Sequence, residues 1–229
     1  MRLTWLGHGS WRLEIEQAVI LIDPWFEGNP SFPAGRRAEA LEGATHILIT
    51  HGHFDHTADA VALAKELDIP VVGIFDLMQY WEGAHGIQTL GFNKGGTVDL
   101  GGAKVTMVAA CHSSSYAGPD GAPVYAGREA GYMIAGEDRV IYHSGDTDIM
   151  ADMEWMGDLH KPDIGILSVG GHFTMDPARA AYAAKRWFDF DTIICSHYKA
   201  FPILNPDVSP LRDVGATLIE AEVMVPFTP

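Results

Sequence analysis

Thr50-His51-Gly52-His53-Phe54-Asp55-His56 puts four metal-competent side chains, His51, His53, Asp55 and His56, within six consecutive residues. The stretch follows an apolar run, Thr45 to Thr50, that reads as a strand. It precedes Thr57 to Leu67, where Val61, Ala64 and Leu67 recur at helical spacing. The motif therefore belongs on a strand-to-helix loop. His51 and His53, two apart on extended chain, point to one side. Asp55 and His56, at the turn into the helix, face a neighbouring point. A single tetrahedral zinc rarely draws four ligands from so short a run, whereas a two-metal site does. A polar helix start with solvated histidines is the plain alternative, and composition alone seldom produces this density.

The rest of the 229 residues bounds what such a site can serve. Apolar residues make up 47% and charged residues 20%, the balance of a soluble globular chain that one domain, 1–229, accommodates. Fifteen Lys and Arg against thirty Asp and Glu leave a formal charge of −15, which excludes a broad basic face for a nucleic-acid backbone. Eleven histidines are the compositional oddity, and histidine suits metals and proton transfer. Cys111 and Cys195 have no paired spacing, so no disulfide framework is implied and both read as buried apolar thiols. MRLTWLGHGSWRLEIEQ lacks the apolar core of a signal peptide, and runs such as Ala18 to Ile22 are far short of the roughly 20 residues that span a bilayer. A cytoplasmic protein with no membrane partner is the expectation.

Along the chain, strands are expected at Leu3 to Leu6, Trp11 to Ile15, Val19 to Ile22 and Val71 to Ile74, with a surface loop carrying at most a short helix over 25–43. A short helix is expected over Asp76 to Glu82. Further strands fall at 87–90, 96–100, 104–110, 132–135, 139–143, Ile164 to Val169 and Ile193 to Ser196. Helices fall near 149–159 and from Pro177 to Phe188, the latter with Asp176 as N-cap and proline in the first position. Residues 113–131, rich in Gly and Pro, read as a flexible surface loop; Tyr116, Tyr125 and Arg128 would let it serve as a flap. The recurring theme is strand, His/Asp-bearing loop, helix, and in α/β folds such loops gather at the carboxyl ends of strands.

The motif resembles that of the metallo-β-lactamase fold family, and the resemblance covers nearly the whole chain. It implies an α/β fold, a four-layer αββα sandwich, housing a binuclear metallohydrolase centre. Carried over residue by residue, it implies His51, His53 and His112 (in CHSSS) on one metal, with Asp55, His56 and His197 (in CSHYKAFP) on the other. Asp146 (in HSGDTD) would bridge the two. At a finer level LGHGSWRLE, LIDPWFEGNP, THGHFDH, HSGDT, GGHFTMDP and HYKAFP look like a prokaryotic subfamily of metal-dependent hydrolases related to the ascorbate-6-phosphate lactonase. The resemblance further implies that Asp23 orients a ligand histidine. Its transfer-RNA-processing branch carries a histidine in the interval of His172, implying a general acid there; support of a metal-binding side chain, or packing, is the other reading. His8 belongs near the site as support or substrate contact, and His143 reads as a strand-end residue. His46, His85 and His160 have no motif and read as exposed.

Two divalent cations, zinc by default and manganese or another transition metal as runner-up, would bring four positive charges against two carboxylates and a shared hydroxide. That leaves a locally positive pocket and implies hydrolysis of a small ester, lactone or phosphodiester, with Asp55 and His172 in catalytic roles. The expected partner is a small molecule, anionic or ester-bearing. An RNA-processing nuclease shares the ligands, but no Lys/Arg-rich arm is present in the sequence. A non-catalytic binding protein is the third reading, and loss of ligands, its usual mark, is not seen.

Overall fold

The computed structural model describes residues 1–118 and 120–229. In chain order the elements are β1 (Arg2–Gly7), β2 (Ser10–Ile15), β3 (Ala18–Ile22), α1 (Arg37–Leu41), β4 (His46–Leu48), α2 (Phe54–Thr57), α3 (Ala60–Leu67), β5 (Val71–Ile74), α4 (Phe75–His85) and β6 (Thr89–Phe92). There follow β7 (Thr97–Asp99), β8 (Lys104–Ala109), β9 (Ser115–Ala117), β10 (Pro123–Tyr125), β11 (Ala130–Gly136) and β12 (Arg139–His143). The chain ends with α5 (Met153–His160), β13 (Ile164–Ser168), α6 (Pro177–Trp187), β14 (Thr192–Ser196), a 3₁₀ turn (Ser209–Asp213) and β15 (Thr217–Ile219).

Two sheets face each other, and each changes character midway. The first runs β1-β2-β3-β4-β5-β6, antiparallel through β3 and parallel thereafter. The second runs β15-β14-β13-β12-β11-β8-β7, antiparallel from β7 to β12 and parallel from β12 to β15. Strands buried on both faces are continuously apolar: β13 (IGILS) and β14 (TIICS) are buried at every residue. One core cluster joins both sheets, and Trp11 Nε1 donates to Ser196 Oγ across it at 2.9 Å. Helices cover the outer faces, α3 and α4 against the first sheet, with α5 and α6 packed together beside the second. This is the four-layer αββα sandwich expected from the resemblance. No helix among the described residues is long and apolar enough to cross a membrane.

Helix α6 shows how local sequence sets an element. The Asp176 carboxylate accepts the Arg179 N–H at 2.8 Å, Pro177 follows at the first position, and Ala180, Ala181, Ala183 and Ala184 supply the buried face. Other boundaries moved for tertiary reasons. The helix expected from Thr57 is two, α2 and α3, and they break where Asp59 turns its carboxylate to the Phe26 N–H at 2.5 Å. The helix expected near 149 starts at Met153, because the Asp148 N–H is held by the Cys111 carbonyl and its carboxylate by Arg179. Within the loop expected over 113–131, Pro119 lies outside the described residues; residues 113–118 and 120–131 are not simply a flexible loop. They include an antiparallel hairpin, β9–β10, in register Pro123 to Ala117 and Tyr125 to Ser115. The strand β15 beyond Ser196 was not expected at all.

Candidate metal centre

The carboxyl ends of β4, β8, β12 and β14 open on one side of the sandwich, and the loops leaving them carry His51 to His56, His112, Asp146 and His197. Three groups of donors come together there, with ligand atoms inside each group within 4.8 Å of one another. They are His51, His53 and His112; His8, Asp55, His56 and His197; and His51, His56 and Asp146. Asp146 Oδ2 lies 3.7 Å from His112 Nε2, 3.4 Å from His56 Nε2 and 3.0 Å from His197 Nε2, so one carboxylate reaches members of both other groups.

Each imidazole in the motif is pinned by the nitrogen it does not turn inward. The His51 Nδ1–H donates to Thr50 Oγ1 at 2.9 Å, and that hydroxyl donates to Asp23 Oδ2 at 2.6 Å. The same Asp23 oxygen accepts the His56 Nδ1–H at 2.8 Å, while Asp23 Oδ1 takes the Thr50 backbone N–H at 2.8 Å. His53 is held at Nε2 by Ser113 Oγ, 3.3 Å away. One buried carboxylate thus orients histidines of both groups, the outer-partner arrangement common around metal sites. Close packing serves the same end. A Cβ on Gly9 would meet His56 Cε1 at 2.9 Å, and one on Gly170 would meet the His197 carbonyl oxygen at 2.1 Å. His8, Asp23 and His197 adopt left-handed φ of 52°, 47° and 54°, so three residues around the donors hold strained backbone.

The donors fit a metal on chemical grounds. Burial pushes His51, His53 and His112 below the usual imidazole range, towards the neutral form that binds cations. Burial also works against charging His56 and His197, but the neighbouring Asp146 and Asp55 prevail, raising His56 well above its ordinary value and His197 to about 9. Conversely, Asp55 and Asp146 are held far below the ordinary carboxylate range despite burial, by the charge of His56 and His197. The buried Nε2 atoms of His56 and His197 nevertheless make no aligned hydrogen bond, although carboxylate oxygens lie 3.0 to 3.5 Å away. These nitrogens and carboxylate oxygens crowd one small space without pairing, and a cation there would serve both.

Around this core the other candidates fall as follows. His8 is fully buried, pushed down to about 4 chiefly by burial, and its Nε2 bonds Asp55 Oδ2 at 2.9 Å. His143 is buried behind the cleft, and its Nδ1 accepts the Gly145 N–H. His172 is exposed and lines a neighbouring depression with Cys111, Asp148, Phe173, Thr174 and Arg179; Phe173 stands between it and the main cavity and lines both. His46, His85 and His160 are half-buried rather than exposed, with His46 bonded to Thr45 Oγ1 and His85 and His160 set against Tyr116 and Trp155. Tyr116 lines the cavity, whereas Tyr125 and Arg128 are exposed outside its lining. Sequence reasoning missed Glu129, a buried acid that accepts the His112 N–H at 3.2 Å. Its neighbours GREAG carry no motif, so only the fold reveals it.

Cys111 also departs from expectation. It is exposed, because β8 ends at Ala109 and the chain then turns outward, while Cys195 inside β14 is fully buried and burial pushes its thiol up to about 12. A thiol reagent such as iodoacetamide should therefore modify one cysteine in the native protein and two in denaturant, with Cys111→Ser abolishing the native reaction. Rapid native labelling of Cys195 would contradict this.

A model of the β-lactamase superfamily domain matches residues 19–198. A UPF0173 metal-dependent hydrolase of Paracoccus denitrificans is 67% identical over 229 residues, 99% of each chain, and one of Dinoroseobacter shibae is 65% identical over 226 residues, 98% of each. Among solved structures, Igni18, a metallo hydrolase of the archaeon Ignicoccus hospitalis, superimposes with a TM-score of 0.84 at 28% identity, covering 99% of this chain and 98% of its own.

Proposed function

Given that the chain belongs to the β-lactamase superfamily, among its metal-dependent hydrolases, we propose that it cleaves a small ester, lactone or phosphodiester at a binuclear centre. His51, His53 and His112 would hold one cation and Asp55, His56 and His197 the other, with Asp146 shared and His8 steadying Asp55. The observation that carries this reading is Asp146 Oδ2, in reach of His112, His56 and His197 at once. When bound, the two cations supply an activated water and a Lewis acid for the carbonyl or phosphoryl oxygen. The chain's own part is orientation: Asp23 and Thr50 hold His51 and His56, and Ser113 holds His53. His172 is retained as proton donor to the departing oxygen, reached from the adjoining depression past Phe173.

Zinc is the first candidate and manganese the second, since imidazole and carboxylate donors suit both. The acidic surface favours a small molecule over RNA, and the exposed thiol of Cys111 suits the reducing cytoplasm.

Titrating metal-free protein with Zn²⁺ or Mn²⁺ while following nitrophenyl-ester and bis(nitrophenyl) phosphate hydrolysis tests the proposal. Two equivalents should be needed for full activity, and saturation at one equivalent would remove the binuclear reading. In the same assay His172→Ala should depress turnover of alkyl esters, which have poor leaving groups, well beyond that of nitrophenyl esters; equal loss would end its role as acid.

A further inference from the structure

The cavity in front of the donors measures about 650 Å³, within the usual range for a small-molecule site. Its walls are mainly carbon, interrupted by Ser113 and Ser115. Phe54, Tyr116, Pro123, Phe173, Phe201 and Ile203 face it, and among the described residues lining it there is no Lys or Arg. Among the described residues of its lining, the only formal charges besides histidine are Asp55 and Asp146, both at the candidate metal donors. Arg179, the cation of the adjoining depression, is committed to the Asp148 carboxylate at 2.6 and 2.7 Å.

The walls are also built rather than incidental. Trp25 stands behind one side, edge-on to Phe54 at 5.7 Å and stacked on Phe201 at 6.0 Å, with its own indole N–H bonded to the Glu27 carbonyl. On the other side the β9–β10 hairpin brings Tyr116 against Trp81 at 5.4 Å and Tyr80 at 6.0 Å. At the mouth, Phe54, Phe173 and Ile203 remain 66%, 52% and 55% exposed, a concentration of apolar surface that a soluble protein rarely leaves uncovered without use.

We propose that the substrate is a neutral acyl compound, an ester or lactone, whose hydrocarbon portion lies along this aromatic wall. Phe54, Phe201 and Ile203 set that preference. The inference rests on the hydrolase reading and narrows it. An anionic group remote from the metal donors would give up its hydration to aromatic carbon with no cation to meet it, and the −15 charge of the chain opposes its approach. Each buried methylene, by contrast, gains by leaving water. The expectation from the pocket is therefore opposite in sign to the anionic preference that the metal charges alone suggest.

The test uses metal-loaded protein and two sets of probes. Methyl ketones (2-pentanone, 2-heptanone, 2-nonanone) present a carbonyl with no leaving group, so their affinity is read by calorimetry without turnover. Affinity should rise about fourfold per methylene across the series. The carboxylated counterpart 6-oxoheptanoate should bind at least tenfold more weakly than 2-heptanone. Nitrophenyl acetate, butyrate and hexanoate should show the same order in kcat/KM. Phe54→Ser, at a position exposed enough to leave folding intact, should flatten both series. Ile203→Arg should reverse the discrimination between 6-oxoheptanoate and 2-heptanone. A flat ketone series, or tighter binding of 6-oxoheptanoate to the native protein, overturns the inference. Ketone binding in the expected order without any ester turnover would support the pocket assignment and count against the hydrolase reading alone.

Discussion

Asp146→Asn should lower kcat/KM by at least about 10³-fold, beyond the roughly 10- to 100-fold that loss of an outer partner of a metal ligand costs. The side chain is 4% exposed, and its Oδ2 is the one carboxylate oxygen in reach of His112, His56 and His197. Asparagine keeps the volume, so packing survives, but it removes the negative charge between the two histidine groups and turns one oxygen into a donor. The second equivalent of metal should be lost first, because the group with Asp55 has one remaining carboxylate, while His51, His53 and His112 still form a complete neutral trio. Metal content by atomic emission alongside steady-state kinetics checks both parts. A variant that keeps two metals and near-native turnover would leave Asp146 no bridging role.

Asp23→Ala should cost about 3 to 5 kcal/mol of stability in metal-free protein, the scale on which breaking a buried charge-assisted network falls. The loss strands three donors at once: the Thr50 N–H, the Thr50 hydroxyl and the His56 Nδ1–H, all now within 2.6 to 2.8 Å of the carboxylate. It also frees His51 and His56 to rotate, so metal affinity should fall by about 10- to 100-fold. Asp23→Asn separates the two effects. Its amide oxygen can still accept the Thr50 N–H, which restores part of the stability, but its NH₂ cannot accept from His56 and the affinity loss should persist. Urea unfolding and competitive metal titration measure the pair. Equal recovery of both quantities in Asp23→Asn would show that Asp23 only fills space.

The His51 to His56 segment was readable because its donors sit in a short, dense motif at a strand end, whereas His112, Asp146 and His197 are isolated in the chain and were placed by the resemblance of their motifs. The strands themselves were readable because buried β-strands such as Ile164–Ser168 announce themselves as unbroken apolar runs. Short elements carried no such signal. The β9–β10 hairpin spans three residues a side and owes its existence to packing against Trp81 and Tyr80, from a helix thirty-odd positions earlier. Cys111 looked like its buried counterpart Cys195 because both adjoin ligand positions; one lies past the end of its strand and the other within it.

Sequence by itself determined which histidines and aspartates stand at strand ends, since apolar runs and motif order are local properties of the chain, and the resemblance of its motifs to a known family supplied the sandwich. It could not determine what surrounds them. Phe54, Tyr116 and the Phe201–Ile203 pair come from three separate segments, and only the closure of two sheets over one core brings them to a common wall. The character of that wall, carbon without a cation, is a sum over residues distant in the chain. For that reason only the tertiary structure shows an apolar cleft with no Lys or Arg among its described lining residues, and the proposal of a neutral, hydrocarbon-bearing ligand rests on it.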